Sequence, residues 1–228
     1  MALVRTGGLE KAYTQGDMVT TALRGVDLAV EEGEFTALVG PSGSGKTTLL
    51  NLIGGLDAPT AGTLHINGQD LTALSASALS DYRLYNIGFI FQDYNLVPVL
   101  TALENVAFIM VLQGRPEREA QQRAAEYLAR VGLEDFAHRR PNALSGGQQQ
   151  RVAVARALAA APRLVLADEP TANLDTENAL SLLELMGELN ASEGVTFLFS
   201  THDGRVVERA RRVVTLMDGR ISSDESRA

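Results

Sequence analysis

The stretch Gly40-Pro41-Ser42-Gly43-Ser44-Gly45-Lys46-Thr47 narrows what this chain can become more than any other. It fits G-x-x-x-x-G-K-[ST], directly after the compact apolar run Phe35–Val39 and before the apolar segment Thr48–Ile53. A strand, a glycine-rich loop and a helix in that order build a phosphate cradle. The glycines let the backbone curl so that N–H groups converge at the positive end of the following helix. Gly40, Ser42, Gly43, Ser44, Gly45 and Thr48 are then expected around the phosphates of a nucleotide. Lys46 would reach the β- and γ-phosphates, and the Thr47 hydroxyl would ligate Mg²⁺. The competing reading is a Gly-Ser turn before a core helix, but average residue usage puts a chance match at about one in a hundred. Lysine usage adds weight: of 20 Lys plus Arg, only Lys11 and Lys46 are lysine. A chain that writes arginine nearly everywhere keeps lysine where a compact point charge must fit among phosphates.

Around this loop the pattern is one of alternating units. Ala22–Val30, Thr63–Ile66 before the turn signal Asn67-Gly68, and Ile87–Phe91 read as strands. From about Thr101 to Leu133 the chain reads as helical, with Pro116–Val131 a charged amphipathic stretch closed by Gly132. A further helix is expected from Ser145 to Ala161, ended by Pro162. Strand Leu164–Ala167, helix Thr176–Asn190, strand Thr196–Phe199, a helix near Val206–Ala210, and strand Val213–Met217 with the Asp218-Gly219 hairpin signal complete the series. Strand–helix alternation with wholly apolar strands predicts an α/β fold, its parallel sheet covered on both faces. The helical middle then reads as an insertion.

Leu164-Val165-Leu166-Ala167-Asp168-Glu169 is an apolar strand ending in two acids. Ligands of parallel sheets gather at the carboxyl ends of strands, which would bring this pair beside the phosphate loop. Asp168 suits Mg²⁺ and Glu169 suits polarising an attacking water. Alone, two acids before a proline turn would be a capping feature; beside a phosphate loop the catalytic reading prevails.

Composition removes several classes. With no Cys, the chain has neither disulfides nor a thiol nucleophile. A net charge of −8 leaves no basic footprint for nucleic acid. The strongly apolar run Phe108–Leu112 falls far short of the roughly 20 residues a membrane-spanning helix needs. Met1-Ala2-Leu3-Val4-Arg5 lacks the pattern of a signal peptide. A cytoplasmic chain is expected, with any membrane role supplied through a partner.

Leu144-Ser145-Gly146-Gly147-Gln148-Gln149-Gln150-Arg151 resembles the LSGGQ signature of ABC (ATP-binding cassette) ATPases, and lies just upstream of the carboxylate strand as in that family. Gln92 then resembles the Q-loop residue, Ala172-Asn173-Leu174-Asp175 the D-loop, His202 the switch histidine, and Tyr13 the aromatic that stacks on adenine. The likeness spans essentially the whole chain. It implies a phosphate-loop NTPase core, a mixed and mostly parallel sheet, with an antiparallel β subdomain, at about 1–92 and 162–228, and a helical subdomain at about 93–161. It further implies that Ser145, Gly146, Gly147 and Gln148 of one copy close on the ATP held by a second, with Asp175 among the nucleotide-binding residues and Gln92 sensing Mg²⁺ and the attacking water. As the start of a helix, Ser145-Gly146-Gly147 does offer free N–H donors and a positive dipole end. A plain serine cap would look the same in isolation. His202 at a strand end is expected to meet the γ-phosphate.

Phe91-Gln92-Asp93-Tyr94-Asn95-Leu96-Val97-Pro98 with Leu100-Thr101-Ala102-Leu103-Glu104-Asn105-Val106 is similar to the subgroup containing the Lol lipoprotein-release and MacB-type export ATPases. The Tyr13–Leu23 segment, longer than a minimal turn, resembles that subgroup too. The resemblance implies an ATPase using ATP and Mg²⁺, a homodimer, and a separately encoded integral membrane subunit, with the chain at the inner face of the cell membrane. A cell-division-type cassette shares several of these features. A soluble ABC ATPase for DNA repair or translation usually carries two cassettes or a coiled-coil insertion. A regulatory module that has lost hydrolysis would not need Lys46, Asp168, Glu169 and His202 together.

Overall fold

The computed structural model describes residues 2–16 and 18–227. Met1, Asp17 and Ala228 lie outside it, and with Asp17 goes half of the Gly16-Asp17 turn. Two sheets organise the chain. The first is antiparallel, in the order β2 (Met18–Glu31), β1 (Ala2–Gln15), β4 (Ala61–Ile66), β5 (Gln69–Asp70). Its long hairpin pairs Arg5 with Ala29 and Gln15 with Met18, with several bulges between.

The second sheet runs β10 (Arg220–Ser226), β9 (Arg212–Met217), β3 (Phe35–Val39), β8 (Thr196–Thr201), β7 (Leu164–Ala167), β6 (Ile87–Ile90). All neighbours are parallel except the terminal hairpin of β9 and β10. Its period-2 alternation divides two cores. Phe35, Ala37, Val165, Ala167, Phe197 and Phe199 point to one, and Leu38, Leu164, Leu166 and Leu198 to the other. That is why the central strands read as unbroken apolar runs: both faces are covered.

On one face lie α1 (Lys46–Ile53) and the antiparallel sheet; on the other, α5 (Gly146–Ala159) and α6 (Thr176–Glu193). The helices α3 (Ala102–Leu112) and α4 (Glu117–Arg130) pack on α5, which packs in turn on β6 and α6. The continuous helix expected over Thr101–Leu133 is broken between Leu112 and Glu117. Gly114 adopts φ +83° and Pro116 stands at the N-cap without an N–H to give. Thr101 and Glu104 form a reciprocal capping box at the start of α3, with Glu104 Oε2 accepting the Thr101 N–H at 2.7 Å. That bond holds the Glu104 carboxyl below the usual range. The short helix expected near Val206–Ala210 spans Gly204–Val207 (α7), because the chain must turn at Ala210 to enter β9. One helix had no expectation at all. α2 (Ala76–Asn86) has no buried residue and so no apolar stripe to announce it. No described helix is long and apolar enough to cross a membrane.

Candidate functional site

β3 ends at Val39, and the loop that follows bends through three left-handed glycines, Gly40 (φ +150°), Gly43 (φ +79°) and Gly45 (φ +106°). At Gly40 the reason is also spatial, since a Cβ there would stand 2.0 Å from the Leu216 carbonyl oxygen. The loop closes around Lys46, a residue only 8 % exposed, whose ammonium donates to the carbonyls of Gly40 (2.9 Å) and Pro41 (3.1 Å). The Ser44 hydroxyl is buried with no hydrogen-bond partner among the described residues. A buried charge held by loop carbonyls, beside a hydroxyl without a partner among the described residues and the start of α1, is the donor set that phosphate oxygens require.

β7 lies one strand beyond β8 from the loop, and it delivers Asp168 and Glu169. Asp168 Oδ1 accepts from the hydroxyls of Ser200 (2.6 Å) and Thr47 (3.2 Å). The Ser200 hydroxyl also accepts the Glu169 N–H at 2.9 Å, so one wholly buried serine on β8 holds both acids. A hydroxyl and a carboxylate side by side at a phosphate loop fit a hard cation such as Mg²⁺. Glu169 adopts φ +48°, unusual for a side chain of its size. This turns the carboxylate toward His202, whose Nδ1 lies 2.9 Å from Glu169 Oε2. With Nδ1–H given to the carboxylate, Nε2 is left for an outside partner.

These pieces bound a cleft of about 510 Å³ lined by Ser42, Gly43, Gly45, Lys46, Thr47, Thr48, Gln92, Glu169 and His202, with Ala22 and Ala172. Gly40 and Asp168 stand outside this lining and touch it through their bonds to Lys46 and Thr47, and Ser44 also lies outside it. Tyr13 is not among the lining residues. It is 43 % exposed on β1, its hydroxyl donates to Asp57 at 3.0 Å, and the Lys11 ammonium lies 4.9 Å from its ring centre.

Ser145, Gly146, Gly147, Gln148 and Asp175 also lie apart from the cleft lining. Ser145 caps α5 in a capping box with Gln148, whose Oε1 accepts the Ser145 N–H at 2.9 Å. A Cβ at Gly146 would stand 2.8 Å from the Tyr94 hydroxyl, so any side chain there requires that ring to shift. Asp175 caps α6, and the Asn178 N–H that it accepts holds its carboxyl below the usual range. Asn173 donates to the Gln92 carbonyl at 3.0 Å and so ties the D-loop to the Q-loop.

Sequence reasoning missed Ser200, Asn173 and the buried amide of Gln150. Ser200 sits inside an apolar strand and carried no motif. The other two lay within quoted motifs, but only the fold shows what they touch.

Beside the cleft's Q-loop wall lies a groove of about 400 Å³, lined by Arg83, Phe89, Phe91, Phe108, Ile109 and Arg156 among others. Arg156 is held by the carbonyls of Tyr94 and Asn95, and burial pulls it down to about 10.

The profile of the family described as ABC transporter matches residues 23–172. The lipoprotein-releasing system ATP-binding protein LolD of Anaeromyxobacter dehalogenans is 53 % identical over 222 residues, 97 % of this chain and 93 % of that one. LolD 1 of Rhodopseudomonas palustris is 50 % identical, over 96 % of this chain and 98 % of that one. The dimeric post-hydrolysis structure of the ATP-binding cassette MJ0796 bound to ADP and Pi superposes with a TM-score of 0.91. Its identity is 42 %, and 98 % of each chain is covered.

Proposed function

The chain belongs to the ABC transporter family as an ATP-binding, ATP-hydrolysing subunit, and on that premise we propose that it drives a lipoprotein-releasing membrane complex as a pair of identical copies. The observation that carries the reading is the cleft. The phosphate loop, the Asp168–Glu169 pair and His202 converge there from the ends of three adjacent strands.

In this reading the loop N–H groups and Lys46 bind the phosphates of ATP, and Thr47, Asp168 and Gln92 hold Mg²⁺. The ion would supply charge neutralisation on the β- and γ-phosphates. Glu169 orients a water for in-line attack and takes its proton, while His202, steered by Glu169 at Nδ1, presents Nε2 toward the γ-phosphate. The exposed ring of Tyr13 offers adenine a stacking surface, polarised by Lys11. Ser145, Gly146, Gly147 and Gln148 of the second copy complete the site from the far side, which accounts for their distance from the cleft lining of their own chain. Two copies then bury two ATP at an isologous interface. The dimeric MJ0796 cassette and the LolD relatives support this arrangement.

Residues about 1–92 and 162–228 form the nucleotide-binding core in this proposal, and about 93–161 the lever that moves on closure. The groove beside the Q-loop receives a cytoplasmic helix of the membrane subunit, placing the chain at the inner membrane face. Its apolar walls suit such a helix, and the half-buried guanidinium of Arg156 suits an acidic residue on it.

The test is capture from membranes with the Glu169→Gln chain in ATP and Mg²⁺. Turnover is expected to fall about 10²- to 10⁴-fold, giving an ATP-dependent dimer that co-purifies with a membrane subunit of few spans and a large extracytoplasmic domain. Normal turnover removes Glu169 from its role, and a many-helix permease as partner removes the lipoprotein-release assignment.

A further inference from the structure

Gln150 lies on α5, two residues past the signature residue Gln148, and is wholly buried. Its Nε2 donates to the Pro170 carbonyl at 2.7 Å and makes a longer contact of 3.5 Å with the Phe91 carbonyl. Its Oε1 is buried with no hydrogen-bond partner among the described residues. Pro170 directly follows Glu169, and Phe91 directly precedes Gln92. One amide thus joins the signature helix, the carboxylate turn and the start of the Q-loop.

We propose that Gln150 is a positioning residue for ATP hydrolysis, holding Glu169 and Gln92 in register with the signature helix. The proposal rests on the reading of Glu169 as the group that orients the attacking water and of Gln92 as a holder of Mg²⁺. The backbone at Glu169 is left-handed and needs restraint to stay so. Restraint comes from both sides: Ser200 holds the N–H of Glu169, and Gln150 holds the carbonyl of the next residue.

Packing alone does not call for an amide at this position. Val152, Ala153, Val154 and Ala155 fill the same buried stretch of α5, and a buried acceptor without a partner destabilises the fold. What the amide adds is a directional bond to two carbonyls that an apolar side chain cannot make. Because the α5 start meets the ATP of the second copy, a shift of that start is carried along a rigid helix to the Glu169 turn of its own cleft. Engagement of one nucleotide would thereby set the water-orienting carboxylate at the other.

The test compares Gln150→Met, which removes the donor, and Gln150→Asn, which withdraws it by one methylene, in the full chain. In both, kcat should fall about ten- to a hundredfold, as misplaced reacting groups do. KM and equilibrium binding of a fluorescent ATP analogue should stay within about threefold, since ground-state binding is untouched. Asn190→Leu is the matched control. Asn190, on α6 and away from the cleft, is also a buried amide whose Oδ1 has no partner among the described residues, and it bonds the Gly33 and Val195 carbonyls. That variant should lose thermal stability yet keep kcat well below its midpoint.

The proposal is overturned if both Gln150 variants keep kcat within about twofold, if their loss merely follows their melting midpoints, or if neither folds. Glu169→Gln assayed alongside separates the two readings. If it turns over normally, the base assignment fails. If it is dead while Gln150→Met is fully active, only the role of Gln150 falls.

Discussion

Ser200→Ala probes the site without touching any residue of its motifs. Ser200 is wholly buried, and its hydroxyl donates to Asp168 Oδ1 at 2.6 Å while accepting the Glu169 N–H at 2.9 Å. Losing a bond to a charged carboxylate costs about 1.5–3 kcal/mol, and leaving a buried N–H unpaired costs about 1–3 kcal/mol. Asp168 is only partly buried and keeps Thr47, so water replaces part of its lost bond. The net expectation is therefore about 2–4 kcal/mol. At about 2–4 °C per kcal/mol for a chain of this size, the melting midpoint should fall by about 4–16 °C without nucleotide. A second readout follows from Asp168 losing its orientation. The Mg²⁺ concentration for half-maximal ATPase should rise about tenfold, equivalent to about 1.4 kcal/mol. Scanning calorimetry and a Mg²⁺ titration measure the two. A midpoint within about 1 °C of the parent, with an unchanged Mg²⁺ requirement, would refute the idea that one serine holds both acids.

Two other outcomes bear on the same structure. Lys46→Ala should weaken ATP binding about tenfold or more, and Lys46→Arg should not restore it, because the planar fork does not fit among the loop carbonyls; equilibrium dialysis with ATP decides. The third concerns acid. Arg212 bonds both oxygens of Asp224 and also Glu34, tying β10 to the sheet, and its hydrogen bond holds the Asp224 carboxyl below its usual value. A depressed folded value stabilises above the unfolded value, near pH 4, and that stabilisation is lost as pH falls through the folded one. Asp224→Asn should therefore melt lower than the parent at pH 7, with the gap closing below about pH 4; equal gaps at both ends would count against the pairing.

The parts legible in the sequence were those where one local rule acts alone. The phosphate loop announces itself because only glycine takes the conformations of Gly40, Gly43 and Gly45. The central strands are legible because burial on both faces leaves no polar residue within Leu164–Ala167. The α2 helix was silent because it has no fully buried residue, only Leu79 and Tyr82 packing part-buried on the core, and the break before Pro116 was overrun by helical residues on either side. Asn105 shows another limit. It belongs to the segment that carries the family resemblance, yet it is almost wholly buried and bonds Val97, Leu100 and Thr101, fastening the segment that leads into α3. Ser200, Asn173 and Gln150 likewise act across long sequence separations, which no spacing rule can report.

The strand order also works as a gauge. β3, β8 and β7 are immediate neighbours, so the phosphate loop, His202 and the two acids stand at successive intervals of about 4.8 Å, fixed by backbone hydrogen bonds. Side-chain volumes in the two cores set how firmly that gauge is clamped, but not its graduations. Trimming a core residue such as Leu166 or Phe199 should accordingly shorten the temperature range in which the enzyme works. Within that range, turnover by the folded molecules should keep the parent's rate.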